Sequence, residues 1–222
     1  MIGLIFLLLA PTAFWLFFFL RRDRFQPEPA KAIISTFLWG MAVTFLAAAL
    51  EYFFSFVSTL PFIYIFLVIG PVEEFSKYLV LRYHVYPKPE FNELNDGILY
   101  ASVAALGFAT LENFFYMKHF GASVIILRGI FSITGHVAFT VHIGMALAKK
   151  KMGMKSSVFG AFVVASLLHG VYNYLLMSGN IFLIIIFLPY FFFLARYYFK
   201  LSKKMSLLSK ASARKEVECS DS

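Results

Sequence analysis

Seven apolar runs, near 2–20, 32–57, 61–83, 96–117, 122–148, 156–177 and 181–199, take up almost the whole chain. A helix needs about 20 apolar residues to cross a bilayer. In lipid every backbone N–H and C=O has to find its partner inside the structure, so runs of this length read as helices. The expected fold is therefore all-α, a polytopic membrane helix bundle of about seven transmembrane helices. The connections are short, such as Gln26-Pro27-Glu28-Pro29 and Tyr86-Pro87-Lys88-Pro89. No linker separates two domains, so residues 1–199 are expected to form one transmembrane domain. Residues 200–222 read as a Ser- and Lys-rich cytoplasmic tail. A chain of 222 residues that is 60% hydrophobic and 14% charged is no ordinary soluble domain. Its single cysteine, Cys219, excludes a disulfide framework and a cysteine metal site.

The formal charge of +8 invites a nucleic-acid reading, but the basic residues sit in loops beside the apolar runs. There they act as topology signals. Arg21, Arg22, Arg24 and Lys31 follow or precede the first two runs, Arg82 and Lys88 follow the third, and Lys149, Lys150, Lys151 and Lys155 follow the fifth. The other set of loops holds Lys118 alone. This asymmetry puts the N-terminus outside and the C-terminus in the cytoplasm of a multi-pass protein. The first run lacks a basic leader and a small-residue cleavage site, so it is expected to be a retained span rather than a signal peptide.

Against that background the polar residues within the runs need a reason. The third run contains Gly70-Pro71-Val72-Glu73-Glu74-Phe75-Ser76-Lys77. A charged residue at mid-membrane costs roughly 2.5 to 3.5 kcal/mol even on the gentlest insertion scale. Glu73 and Lys77 share a helix face and can neutralise each other, while Glu74 points about 100° away and needs a partner of its own. The fourth run carries Glu112 and Asn113, the fifth Arg128, His136 and His142, and the sixth His169 and Asn173. With the topology above, Glu73, Glu74 and His136 lie roughly 18 to 22 Å of helix below the outer surface. Glu112 and His169 rise to the same level from the other side. His136 and His169 each neighbour a glycine, which leaves room for another backbone or a substrate. The bland readings are a Glu112–Arg128 ion pair, a packing role for His142, interfacial positions for His84 and His119, and an N-cap role for Asp96. Carboxylate and neutral imidazole are the ligands zinc accepts, with a water at the open position of a catalytic site. A further carboxylate can be the base on that water.

Glu73-Glu74-x-x-Lys77, Phe108-x-x-x-Glu112-Asn113, Gly135-His136 and His169-x-x-x-Asn173 together resemble the PrsW family of bacterial intramembrane proteases. That family is similar in turn to the CAAX prenyl proteases and the bacteriocin-immunity membrane proteins. The likeness covers the motif region 71–174. It implies a peptidase of the bacterial cell membrane that makes the outer-side cut in a single-span anti-sigma factor, which leads to release of a stress-response sigma factor. It also implies that Glu73, Glu74 and His169 are catalytic. The family's last motif often has Asp where this chain has Asn173, and an asparagine cannot be a base, so Asn173 is cast as a supporting donor with Lys77 and Asn113. The expected chemistry is hydrolysis by a water activated by Glu73, with Glu74 the next choice as base. His136, His169 and Glu112 would hold a metal, zinc being the candidate, or would act as electrophiles without one. The expected partners are a single-span substrate and the lipid bilayer, with no nucleic acid. An ion or metal transporter and a non-catalytic scaffold of the same fold are the alternatives.

Overall fold

The structure, a computed structural model, describes residues 2–21, 23, 26–56, 60–121 and 123–177, with isolated positions between 189 and 203. Every regular element among them is helical. In order these are α1 (Ile2–Leu20), α2 (Ala30–Phe54), α3 (Pro61–Tyr64), α4 (Gly70–Leu79), α5 (Leu94–Phe120), α6 (Ser123–Lys151) and α7 (Val158–Met177). The π-helical stretch Ile65–Ile69 joins α3 to α4, and a second, Val80–Val85, continues α4 in the same rod. Six rods thus occupy the first six expected runs. The seventh run, 181–199, and the tail lie outside the described residues but for isolated positions. Among the described residues Ala30–Phe54, Leu94–Phe120, Phe131–Lys151 and Val158–Met177 are long and apolar enough to cross a membrane.

The rod that carries the acids is widened for a reason visible in its sequence. Pro71 has no N–H, and its ring crowds the preceding turn of an α-helix. Just before it, the Gly70 N–H bonds Ile65 C=O, five residues back instead of four. Such π turns recur at functional sites.

α5 and α6 form the buried centre. Tyr100, Ala101, Ala104, Ala105 and Leu106 of α5 and Ile133, Phe139 and Ile143 of α6 are inaccessible. Small residues let these two backbones touch, since a methyl added to Gly97 would lie 2.6 Å from the Gly144 carbonyl oxygen. Gly121, at φ 88°, ends α5 in a conformation that favours glycine. α2 and α7 lie outside this centre and expose Trp39, Phe45, Phe53, Phe159 and Leu167 on faces suited to lipid.

The loops rich in Lys and Arg gather at one end. Lys151 Nζ donates to the Tyr86 carbonyl at 2.7 Å, and His84 Nε2 lies 3.0 Å from Ser35 Oγ and 3.1 Å from Lys88 Nζ. His84 therefore ties two elements together as well as sitting near a span end. Asn95 Nδ2 donates to Asp23 Oδ1 at 3.2 Å, which joins the loop after α1 to the start of α5. Asp96 is not the N-cap expected of it: Glu93 is, and Asp96 closes a capping box at the third helical position. Its Oδ2 accepts the Asn92 and Glu93 N–H groups at 2.7 and 2.5 Å.

Candidate active site and metal centre

Toward the other end of the bundle, where α2, α5 and α7 finish, the costly side chains of four helices meet. α4 supplies Glu73, Glu74 and Lys77, α5 Glu112 and Asn113, α6 Arg128, His136 and Thr140, and α7 His169 and Asn173. Glu74 and Lys77 are inaccessible, and Glu73, His136 and His169 are nearly so.

The order of the contacts sorts these groups. Glu74 is fully committed: Oε1 accepts Lys77 Nζ at 2.7 Å and His169 Nδ1–H at 2.9 Å, and Oε2 accepts the Thr140 hydroxyl at 3.0 Å. Lys77 Nζ also donates to His136 Nδ1 at 2.9 Å and lies 4.3 Å from the Phe108 ring centre. With Lys77 on Nδ1, the His136 proton belongs on Nε2, which donates to Glu112 Oε2 at 2.9 Å. Arg128 closes the network, bonding Glu112 Oε2 at 2.7 Å and Asn113 Oδ1 at 2.8 Å, with its guanidinium 3.5 Å from the Tyr116 ring centre.

Glu73 is the exception. Its Oε2 is buried and has no hydrogen-bond partner. It stands 3.5 Å from Lys77 Nζ, 3.7 Å from His136 Nδ1 and 3.6 Å from His169 Nε2. A tetrahedral ion with bonds of about 2.1 Å spaces its ligands about 3.4 Å apart. The two Glu73–imidazole separations suit that spacing better than they suit a hydrogen bond. Donor atoms of Glu73, His136 and His169 all lie within 4.8 Å of one another. His169, whose Nδ1–H is held by Glu74, turns its Nε2 to this spot, the carboxylate–histidine arrangement that orients metal ligands. The residues fit a metal, provided Lys77 moves fully to the glutamates and releases His136 Nδ1.

The sequence-expected residues thus converge, though in unequal positions. Glu73, His136 and His169 share the donor set, whereas Glu112 reaches the cluster through His136 and Arg128. The Glu112–Arg128 pair is real, and it is part of the site. Asn173 lines a cavity of about 380 Å³ that also receives Glu73, Glu112 and Arg128. His142 stands apart, with Nε2 3.2 Å from the Tyr190 hydroxyl. The glycines beside the histidines serve packing: a methyl on Gly170 would lie 2.7 Å from the Phe66 ring, and one on Gly135 3.3 Å from Phe139. Sequence reasoning missed Thr140, whose hydroxyl is unremarkable in a helix, and Glu51 of α2, which lines the cavity. Glu51 carried the same signal as Glu73, an acid in an apolar run, and was passed over.

With this geometry in view, comparison with known proteins is informative. The family profile described as PrsW family intramembrane metalloprotease matches residues 28–196. The protein named Protease PrsW of Geobacillus kaustophilus is 32% identical over 174 residues, 76% of this chain and 77% of that protein. Protease PrsW of Clostridioides difficile is 33% identical over 203 residues, 85% of each chain. Protease PrsW of Bacillus subtilis is 31% identical over 176 residues, 77% of this chain and 81% of its own. No solved structure matches the chain.

Proposed function

The chain belongs to the PrsW family of intramembrane metalloproteases and is a membrane peptidase, and on that premise we propose that it hydrolyses a peptide bond in the cavity beside Glu73. The observation that carries this reading is the buried Glu73 Oε2, which makes no hydrogen bond, between His136 and His169. His136 Nδ1, His169 Nε2 and Glu73 would hold the metal, and zinc suits that donor set. When bound, the metal supplies Lewis acidity to the attacking water and to the scissile carbonyl.

The side chains do the rest. Glu73, through the carboxylate oxygen that would not hold the metal, takes the proton from the attacking water and passes it to the leaving amine. Glu74 is already saturated by Lys77, His169 and Thr140, so its part is to fix the His169 ring and to receive the Lys77 ammonium when it releases His136 Nδ1. Glu112 and Arg128 fix the His136 ring in the same way, and Asn113 anchors Arg128. Asn173, on the cavity wall, donates to the developing oxyanion.

The two ends of the bundle support an outer-side cut. The cavity lies away from the end where the basic loops meet, and basic loops stay in the cytoplasm. Seven spans with the N-terminus outside, in the bacterial cell membrane, would put the cavity in the outer half. The substrate is then a single-span protein cut near its outer end, and the family resemblance favours an anti-sigma factor as that protein.

The test is cleavage of a membrane-anchored candidate substrate by the purified, reconstituted chain, compared with Glu73→Ala, Glu74→Ala and His169→Ala. All three are expected to lose cleavage. A chelator should abolish wild-type activity and zinc should restore it. Cleavage that survives all three substitutions would remove the reaction from this site.

A further inference from the structure

The cavity has one lining acid for which the reaction above has no use. Thr44, Ala47, Ala48 and Glu51 of α2 line the wall that faces Glu73 and Glu112. Their spacing puts them on one helix face, so they form a stripe of small side chains with an acid at its outer end. The backbone there is anchored, because the Tyr64 hydroxyl donates to the Glu51 carbonyl at 2.8 Å. The carboxylate is not. Among the described residues no cation lies within 4.0 Å of it. The two cations of the site are spent, Arg128 on Glu112 and Asn113, and Lys77 on Glu74 and His136.

A carboxylate on a lipid-embedded bundle is costly until a partner arrives. Three acids, Glu51, Glu73 and Glu112, line this cavity against the single guanidinium of Arg128. The low-dielectric walls make that imbalance count. A side chain with a long apolar stem and a cationic head matches the surface: the stem lies along Ala47 and Ala48 and the head reaches the acid at the mouth. At about 380 Å³ the cavity holds only a few side chains, so such a group would enter close to the bond beside Glu73.

We propose that Glu51 forms the anionic wall of a substrate subsite that takes a Lys or Arg side chain near the scissile bond. The proposal rests on the peptidase reading and adds a specificity to it. The test uses the full chain in liposomes and single-span peptides that differ at one position beside the cut, as Lys, norleucine or Glu. Wild type should cleave the Lys peptide with kcat/KM about tenfold above the norleucine peptide, the effect of one charge-assisted hydrogen bond. In Glu51→Gln that ratio should fall to about one, and in Glu51→Lys the Glu peptide should become the preferred substrate. A Lys-to-norleucine ratio that stays at its wild-type value in Glu51→Gln overturns the proposal. So does an equal loss on all three peptides in a variant that melts like wild type, because that outcome makes Glu51 part of the common machinery. Binding of the same peptides to Glu73→Gln separates the two layers. A Lys preference in binding that vanishes on adding Glu51→Gln upholds the subsite even if no peptide is cut, in which case the peptidase reading alone fails.

Discussion

At the start of α5, Asp96 accepts two backbone N–H groups in a capping box, and Asp23 accepts the Glu28 N–H at 2.8 Å and the Asn95 amide. Near the end of the same helix, Glu112 accepts Arg128 and His136. Both clusters are rich in carboxylates and both keep one buried orphaned oxygen, Asp96 Oδ1 and Glu73 Oε2. What surrounds the orphan differs. The neighbours of Asp96 are main-chain donors, the Glu28 carboxyl and the Tyr100 hydroxyl that Glu28 accepts. The neighbours of Glu73 are two imidazoles and an ammonium, and a cavity opens beside it. In the loop cluster burial pushes the Asp23 and Glu28 carboxyls above the usual range, while the hydrogen bonds from the Glu28 N–H and from Tyr100 pull them back. An acid whose bonds go to backbone ends and loops holds a fold together. An acid facing two imidazoles beside an open cavity has chemistry left to do.

That contrast breaks if the two ends respond alike to losing an acid. Glu73→Gln is expected to lower kcat by about 10²- to 10⁴-fold, the range for losing a positioned base. Its melting temperature in detergent should change little, because Oε2 makes no hydrogen bond to lose; a collapse of the fold would make Glu73 structural. Glu74→Gln should act at one remove, weakening metal affinity about 10- to 100-fold by freeing the His169 ring. Titration with zinc against a competing chelator measures it, and excess zinc should restore part of the activity. Next to the loop end, Gly144→Ala should wedge α5 from α6 at Gly97 and cost about 1 to 3 kcal/mol, read as a lower melting temperature. The smallest effect is expected at the loop end. Asp96→Ala removes half of a capping box and should cost about 1 kcal/mol of stability while the substrate's KM stays near wild type. A kcat loss there as deep as that of Glu73→Gln would erase the distinction.

Much of the site was legible because lipid makes misplaced polarity expensive. Glu73, Glu74, Lys77, Glu112, His136 and His169 stood out as residues that hydrophobicity would not place in a span, and they do converge. Their division of labour was not legible. Spacing along α4 pairs Lys77 with Glu73 at i, i+4 and leaves Glu74 to find a partner of its own, but the structure corrects this: the ammonium lies 2.7 Å from Glu74 and 3.5 Å from Glu73. Thr140 and His169, on other helices, tip that choice. Glu112 was expected among the metal ligands, and its nearest partners are Arg128 and His136. Glu51 escaped notice because its importance depends on which way α2 faces.

The sequence by itself determined that this chain is helical, that its helices are built for lipid, and which polar residues must hide within them, since all three follow from the cost of leaving polar groups unpaired in an apolar medium. Only the tertiary structure decided which of those residues spend their hydrogen bonds on one another and which keep an oxygen or a nitrogen free. That decision depends on the azimuth and depth of α2, α4, α5, α6 and α7 relative to one another, and those are set by the small residues where the backbones touch.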